Sequence, residues 1–123
     1  MIDKKLTRAE EEVMQLIWSQ PEPCTVSDLI EQMDIDPKPP HSTVSTIVRT
    51  LERKGFVGHK TYGRTHAYYA LVDKKDYTRF SLKKLVKNYF KGSHNELVSF
   101  LVKENDLNLE ELGKLIDKLE RED

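Results

Sequence analysis

The sequence predicts a mainly α fold carrying one small β-hairpin, with an N-terminal domain followed by a C-terminal helical region. Three features support this. Apolar residues recur at helical spacing in six separate stretches, most of them opened by a capping residue. Between the third and fourth stretches, residues 56–71 change to short runs rich in aromatic and β-branched side chains, the signature of strands. Charge is also segregated: residues 1–37 hold three basic and nine acidic residues, residues 38–91 thirteen and three, and residues 92–123 four and nine.

Taken in order, Thr7-Arg8-Ala9-Glu10 is a capping box, after which Leu6, Ala9, Val13, Leu16 and Ile17 fall on one helical stripe. Pro21 and Pro23 lie beyond its end. Thr25 caps a second helix with Asp28 near its N-terminal dipole, and Val26, Leu29, Ile30 and Met33 form its stripe. The run Asp36-Pro37-Lys38-Pro39-Pro40 is excluded from a helix interior, because each proline removes a donor and restricts the residue before it. A third helix begins near His41–Thr43, carries Val44, Ile47, Val48 and Leu51, and stops at Gly55. Phe56–Thr61 and His66–Leu71 read as two strands joined around Tyr62-Gly63-Arg64-Thr65. Asp73–Asp76 opens a fourth helix with Leu82, Leu85, Val86 and Tyr89, broken at Gly92. Ser93-His94-Asn95-Glu96 opens a fifth with Leu97, Phe100 and Leu101, and Asn108 with Glu111 a sixth with Leu109, Leu112, Ile116 and Leu119.

Length and composition narrow the function classes. The 123 residues suffice for one domain, or a small domain with an appendage, and are too few for a large α/β enzyme. No apolar run approaches the roughly 18–20 residues that span a bilayer, and the first residues lack a signal-peptide core, so no membrane association and a cytoplasmic location are expected. Cys24 is the single cysteine, which excludes an internal disulfide and a cysteine-based metal cluster. His41, His59, His66 and His94 have no regular ligand spacing, so no metal site is expected. Neither a Ser-His-Asp order, a P-loop nor a glycine-rich fingerprint is present. The chain is therefore not expected to be an enzyme or to carry a cofactor.

A cationic middle between acidic ends is an electrostatic footprint for a polyanion, concealed by the net charge of -1. Three helices followed by a hairpin is the winged helix-turn-helix arrangement. At roughly 100° per residue, Val44, Ile47, Val48 and Leu51 share the buried side of the third helix. Ser42, Thr46, Arg49 and Arg53 then point the opposite way, flanked by Ser45 and Thr50. Short hydroxyls let a helix backbone approach the major groove, and arginine reaches guanine or phosphate. No acidic residue precedes Glu52 on this helix. The candidate contacts to double-stranded DNA are His41, Ser42, Thr43, Ser45, Thr46, Arg49 and Arg53 on the helix, with Lys60 and Arg64 on the hairpin. The alternative is a winged-helix module that contacts protein within a larger assembly.

A boundary near residue 72 divides the chain into residues 1–72, the winged helix-turn-helix domain, and residues 73–123, a helical dimerisation region. The tail's apolar stripes exceed what its short helices can cover alone. The tail could fold back on the winged domain or bury against a second copy; the second is the expectation, through Leu85, Tyr89, Leu97, Phe100, Leu101, Leu112, Ile116 and Leu119.

These stretches resemble the penicillinase-repressor family of bacterial winged-helix regulators, which control β-lactamase and methicillin-resistance operons and have copper-responsive relatives. The likeness rests on Leu6-Thr7-Arg8-Ala9-Glu10-Glu11-Glu12-Val13-Met14-Gln15-Leu16-Ile17-Trp18, on Ser42-Thr43-Val44-Ser45-Thr46-Ile47-Val48-Arg49-Thr50-Leu51-Glu52-Arg53-Lys54-Gly55, and on Tyr62-Gly63-Arg64 with His66-Ala67-Tyr68-Tyr69. The resemblance implies a homodimeric repressor whose third helices enter the major groove of an inverted-repeat operator, whose tails intertwine, and which occludes a promoter. Trp18 carries over as a core residue. Copper-responsive members carry paired cysteines near the C-terminus; this tail has none, so copper sensing is not expected. In β-lactam-responsive members a partner protease cuts an Asn-Phe bond in the tail. Ser99-Phe100 stands at the corresponding place here, which makes it the implied cleavage position and a regulatory protease an implied partner.

Overall fold

Helix starts are where backbone donors go unpaired, and side chains decide the first two of them. In the computed structural model, which describes residues 5–105 together with Lys114 and Asp117, α1 spans Arg8–Trp18. Thr7 Oγ1 accepts from the Glu10 N–H at 3.2 Å, and Glu10 Oε1 accepts from the Thr7 N–H at 2.9 Å. Thr25 and Asp28 repeat this reciprocal pair at the start of α2, Val26–Glu31. Helix α2 ends before Met33, and its last carbonyls are bound by Lys38 Nζ, which donates to Ile30 O, Glu31 O and Met33 O at 2.8–3.0 Å. After the proline-rich segment α3 runs His41–Arg53. Gly55, at φ +86°, then turns the chain into β1, Val57–Tyr62, which pairs antiparallel with β2, Thr65–Ala70. Gly63, at φ +64°, opens their two-residue turn.

The chain divides into two compact units, Met1–Lys74 and Lys75–Asp123. In the first, α1 packs on α2, α3 and β2, and α3 packs on α2 and β1. The interior is Val13, Met14, Ile17, Leu29, Val44, Val48, Leu51, Phe56, Val57 and Tyr68. Periodicity missed Met14, which is fully buried, and placed Ala9 on the inner stripe although Ala9 is exposed. The reason is that α1 has neighbours on several sides and needs a wider apolar face turned towards Met14. Trp18 donates its indole N–H to Val72 O at 2.8 Å, tying the end of α1 to the exit of the hairpin.

Cys24 adds a one-residue third strand. Its N–H donates to Tyr68 O at 2.9 Å and its carbonyl accepts from the Tyr68 N–H at 2.7 Å. The thiol is buried, and burial, with Asp28 nearby, pushes its pKa up to about 11.

The second unit contains nearly all of α4, Lys74–Tyr89, and α5, His94–Asn105. The turn between them has left-handed backbone at Lys91 and Gly92, and the Gly92 N–H returns to Val86 O at 3.0 Å. Ser93 Oγ accepts from the Glu96 N–H at the start of α5. A small cluster of Val86, Leu97 and Val98 is buried, with Leu82, Phe90, Leu101 and Val102 against it. The stripe predicted for a sixth helix, with Leu112, Ile116 and Leu119, lies outside the described residues.

Candidate nucleic-acid interface

Helix α3 presents two chemically distinct sides. Val44, Val48 and Leu51 are at most 1% exposed and form its inner face. His41, Ser42, Thr43, Thr46, Arg49 and Arg53 are exposed, and Ser42, Thr46, Arg49 and Arg53 fall along one outer line at 100° per residue. Thr46 Oγ1 donates to Ser42 O at 2.9 Å and Thr50 Oγ1 to Thr46 O at 3.0 Å. These bonds occupy the hydroxyl protons and leave oxygen lone pairs on the surface.

Ser45 departs from its expected place. It is 9% exposed, and its Oγ accepts from Arg49 Nη2 at 3.0 Å. One hundred degrees beyond Val44, it sits at the edge of the buried side, so it positions Arg49 instead of reaching outward. That bond holds the guanidinium in place before any ligand arrives.

The start of α3 differs from the other two. Pro40 is its N-cap, no side chain caps it, and its first turn carries no acidic residue. The positive end of the helix dipole is therefore not neutralised by an adjacent carboxylate, which suits approach to an anion.

Lys60 and Arg64 are exposed on the hairpin, Lys60 beside Ala67 on β2 and Arg64 in the turn. On the opposite face of the hairpin lie His59, His66 and Tyr68. The two imidazoles stack at 4.2 Å and 9°, and His59 Nδ1 is 2.6 Å from Glu52 Oε2. Burial, then Glu52, pushes the Tyr68 phenol up, against the opposing pull of Arg49. The role of Glu52, His59 and His66 was not legible in the sequence, since no spacing rule brings a helix end onto a strand that folds back beside it.

Lys54 anchors the far end of α3. Its Nζ is 2.6 Å from Glu10 Oε1 at the start of α1. Burial pushes the Glu10 carboxyl up, but Lys54 and the Thr7 N–H more than offset this and hold it below the usual carboxylate range.

Among the described residues no group of His, Cys, Asp and Glu could hold a metal ion, and no helix is long and apolar enough to cross a membrane. The proposed dimer contacts divide. Tyr89 is 78% exposed, Phe100 51% and Leu85 42%, whereas Leu97 is buried and Leu101 half-buried within their own unit. Leu97 is buried in the single chain, in the small core it shares with Val86 and Val98. Leu112, Ile116 and Leu119 lie outside the described residues, and Ser99, like Phe100, is exposed on α5.

Three helices, a hairpin and an outer face of hydroxyls and guanidinium groups define a winged helix-turn-helix DNA-binding domain. The chain belongs to the penicillinase-repressor family, whose model it matches over residues 6–121. That family consists of transcriptional repressors, and this chain is a DNA-binding repressor and not an enzyme. It is similar to the methicillin resistance regulatory protein MecI of Staphylococcus aureus strain N315, 29% identical over 111 residues that cover 90% of this chain and 89% of that protein. It is 26% identical over 116 residues to the penicillinase repressor of Bacillus licheniformis, covering 94% of this chain and 90% of that protein. A solution structure of the Bacillus licheniformis BlaI monomer with the blaP half-operator aligns at a TM-score of 0.49 and 27% identity, over 60% of this chain and 89% of that one.

Proposed function

We propose that this repressor acts in the cytoplasm as a homodimer on an inverted-repeat operator, each subunit reading one half-site with α3 and gripping phosphates with its hairpin. The observation that carries this is the outer line of Ser42, Thr46, Arg49 and Arg53 beside the exposed Lys60 and Arg64. His41 and Thr43, exposed at the start of α3, join the contact set, and Ser45 serves it through Arg49. Residues 1–72 bind DNA in this reading, and residues 73–123 join the subunits. Leu85, Tyr89 and Phe100 supply an apolar surface for the partner, since three large exposed apolar side chains on one short helical pair are a surface that association would bury.

Release by a regulatory protease cutting between Ser99 and Phe100 belongs to the same reading. The bond lies inside α5, so cleavage requires that helix to unwind locally. Intact mass measured on protein recovered from cells before and after β-lactam challenge tests it: a fragment ending at Ser99 supports the switch, and an intact chain with derepressed targets rules it out.

The DNA reading itself is tested by salt. If each subunit neutralises about four phosphates, the slope of log affinity against log salt is about -7 for duplex DNA. A slope near zero contradicts it.

A further inference from the structure

Glu52 breaks the pattern of its own helix. It is the sole carboxylate on α3, in a turn that also carries Arg49 and Arg53, on a surface suited to a polyanion. A bare carboxylate there would repel phosphate. The structure gives it a partner instead, with Oε2 2.6 Å from His59 Nδ1 in β1. The His59 ring stacks on His66, and both lie against Tyr68, at 5.7 Å and 6.3 Å between centroids.

The strand register shows what this contact braces. His59 pairs with Tyr68, and Tyr68 is the residue that Cys24 holds through two backbone hydrogen bonds. One rung of the hairpin is therefore held twice, by Cys24 along the backbone edge of β2 and by Glu52 through the His59 side chain of β1. The rungs beyond it carry Lys60 and lead to Arg64 in the turn.

We infer that Glu52 is a positioning residue: by holding His59 it sets the hairpin against the end of α3, so that Lys60 and Arg64 meet the same duplex that α3 reads. This rests on the DNA-binding geometry proposed above. A bond of this kind between a carboxylate and an imidazole N–H is short and directional, and so fixes an angle as well as a distance. His66 stacks behind His59 and limits rotation of its ring.

The test uses the full chain, a fluorescent mixed-sequence duplex and anisotropy titrations across salt concentration. Glu52→Ala removes the brace and also a negative charge. If Glu52 were only a solvated carboxylate, the variant would bind more tightly, with a slope unchanged or steeper. The brace predicts the reverse: weaker binding, and a slope flattened by about 2 to 4, because every phosphate that both subunits of a dimer cease to neutralise removes roughly 1.8 from it. Glu52→Gln keeps an acceptor for the His59 N–H while removing the same charge, and retains the wild-type slope. His59→Phe keeps a stacked ring without the hydrogen bond and flattens the slope as Glu52→Ala does, which preserves the test should that variant melt early. A steep wild-type slope with Glu52→Ala and Glu52→Gln behaving alike overturns the brace alone. A wild-type slope near zero overturns the DNA reading and the brace with it.

Discussion

Replacing Lys54 by Met isolates the contact that fastens the end of α3 to the start of α1. Lys54 Nζ donates to Glu10 Oε1 at 2.6 Å and to Lys5 O at 3.4 Å, and the Glu10 side chain is 9% exposed. Methionine keeps most of the stem's packing and leaves the Glu10 carboxylate with its Thr7 N–H bond but no countercharge. A hydrogen bond to a charged partner contributes about 1.5–3 kcal/mol, and the Lys54 side chain is 24% exposed, so screening places the expected loss near the lower end, about 1.5 kcal/mol at pH 7. The pH dependence has a definite sign. The Glu10 carboxyl is held below its ordinary value in the folded chain, so its contribution is present above the carboxylate's unfolded pKa and is lost as pH falls through the folded one. Urea unfolding at fixed protomer concentration should show a clear gap between wild type and Lys54→Met at pH 7 and a smaller one in acid, below the carboxylate's unfolded pKa. A double-mutant cycle with Glu10→Gln should give a coupling of about 1 kcal/mol. Equal destabilisation at both pH values, or no coupling, would refute the reasoning.

Other parts of the molecule give independent checks. Tyr89→Glu and Phe100→Glu change residues exposed in the single chain, so each should leave the fold intact but halve the mass seen by light scattering; unchanged mass would remove this patch from the interface. Cys24 is buried with its thiol pushed up to about 11, so at pH 8 a disulfide reagent should label it only after denaturant is added. Prompt stoichiometric labelling of the native chain would contradict that packing.

Much of the fold could be read from local chemistry. The Thr7 and Thr25 caps, the glycine after α3 and the change of period at the hairpin each act within a few residues, and each stands in the structure as the sequence suggested. What local pattern did not reveal depends on neighbours distant in the chain. Met14 is buried because α1 meets several elements at once, and Ser45 turns inward because of where α3 rests on its core. Leu97 reads as one member of an amphipathic stripe. Only the fold-back of α5 onto Val86 decides that it is used within the chain. The same applies to the interface: the outer line of α3 follows from 3.6-residue geometry, whereas the Glu52–His59 contact needs the hairpin's position.

The central claim is that α3 reads base sequence while the hairpin holds phosphate. Genomic fragments selected on the protein provide an operator duplex. The decisive measurement is then the ratio of affinities for that operator and for a scrambled duplex, in wild type, Arg49→Ala and Arg64→Ala at one salt concentration. Arg49→Ala should lose about 1–3 kcal/mol on the operator and little on the scrambled duplex, so its ratio falls about 5- to 150-fold. Arg64→Ala should weaken both duplexes alike and leave the ratio unchanged. An Arg49→Ala protein that keeps the wild-type ratio would contradict the account.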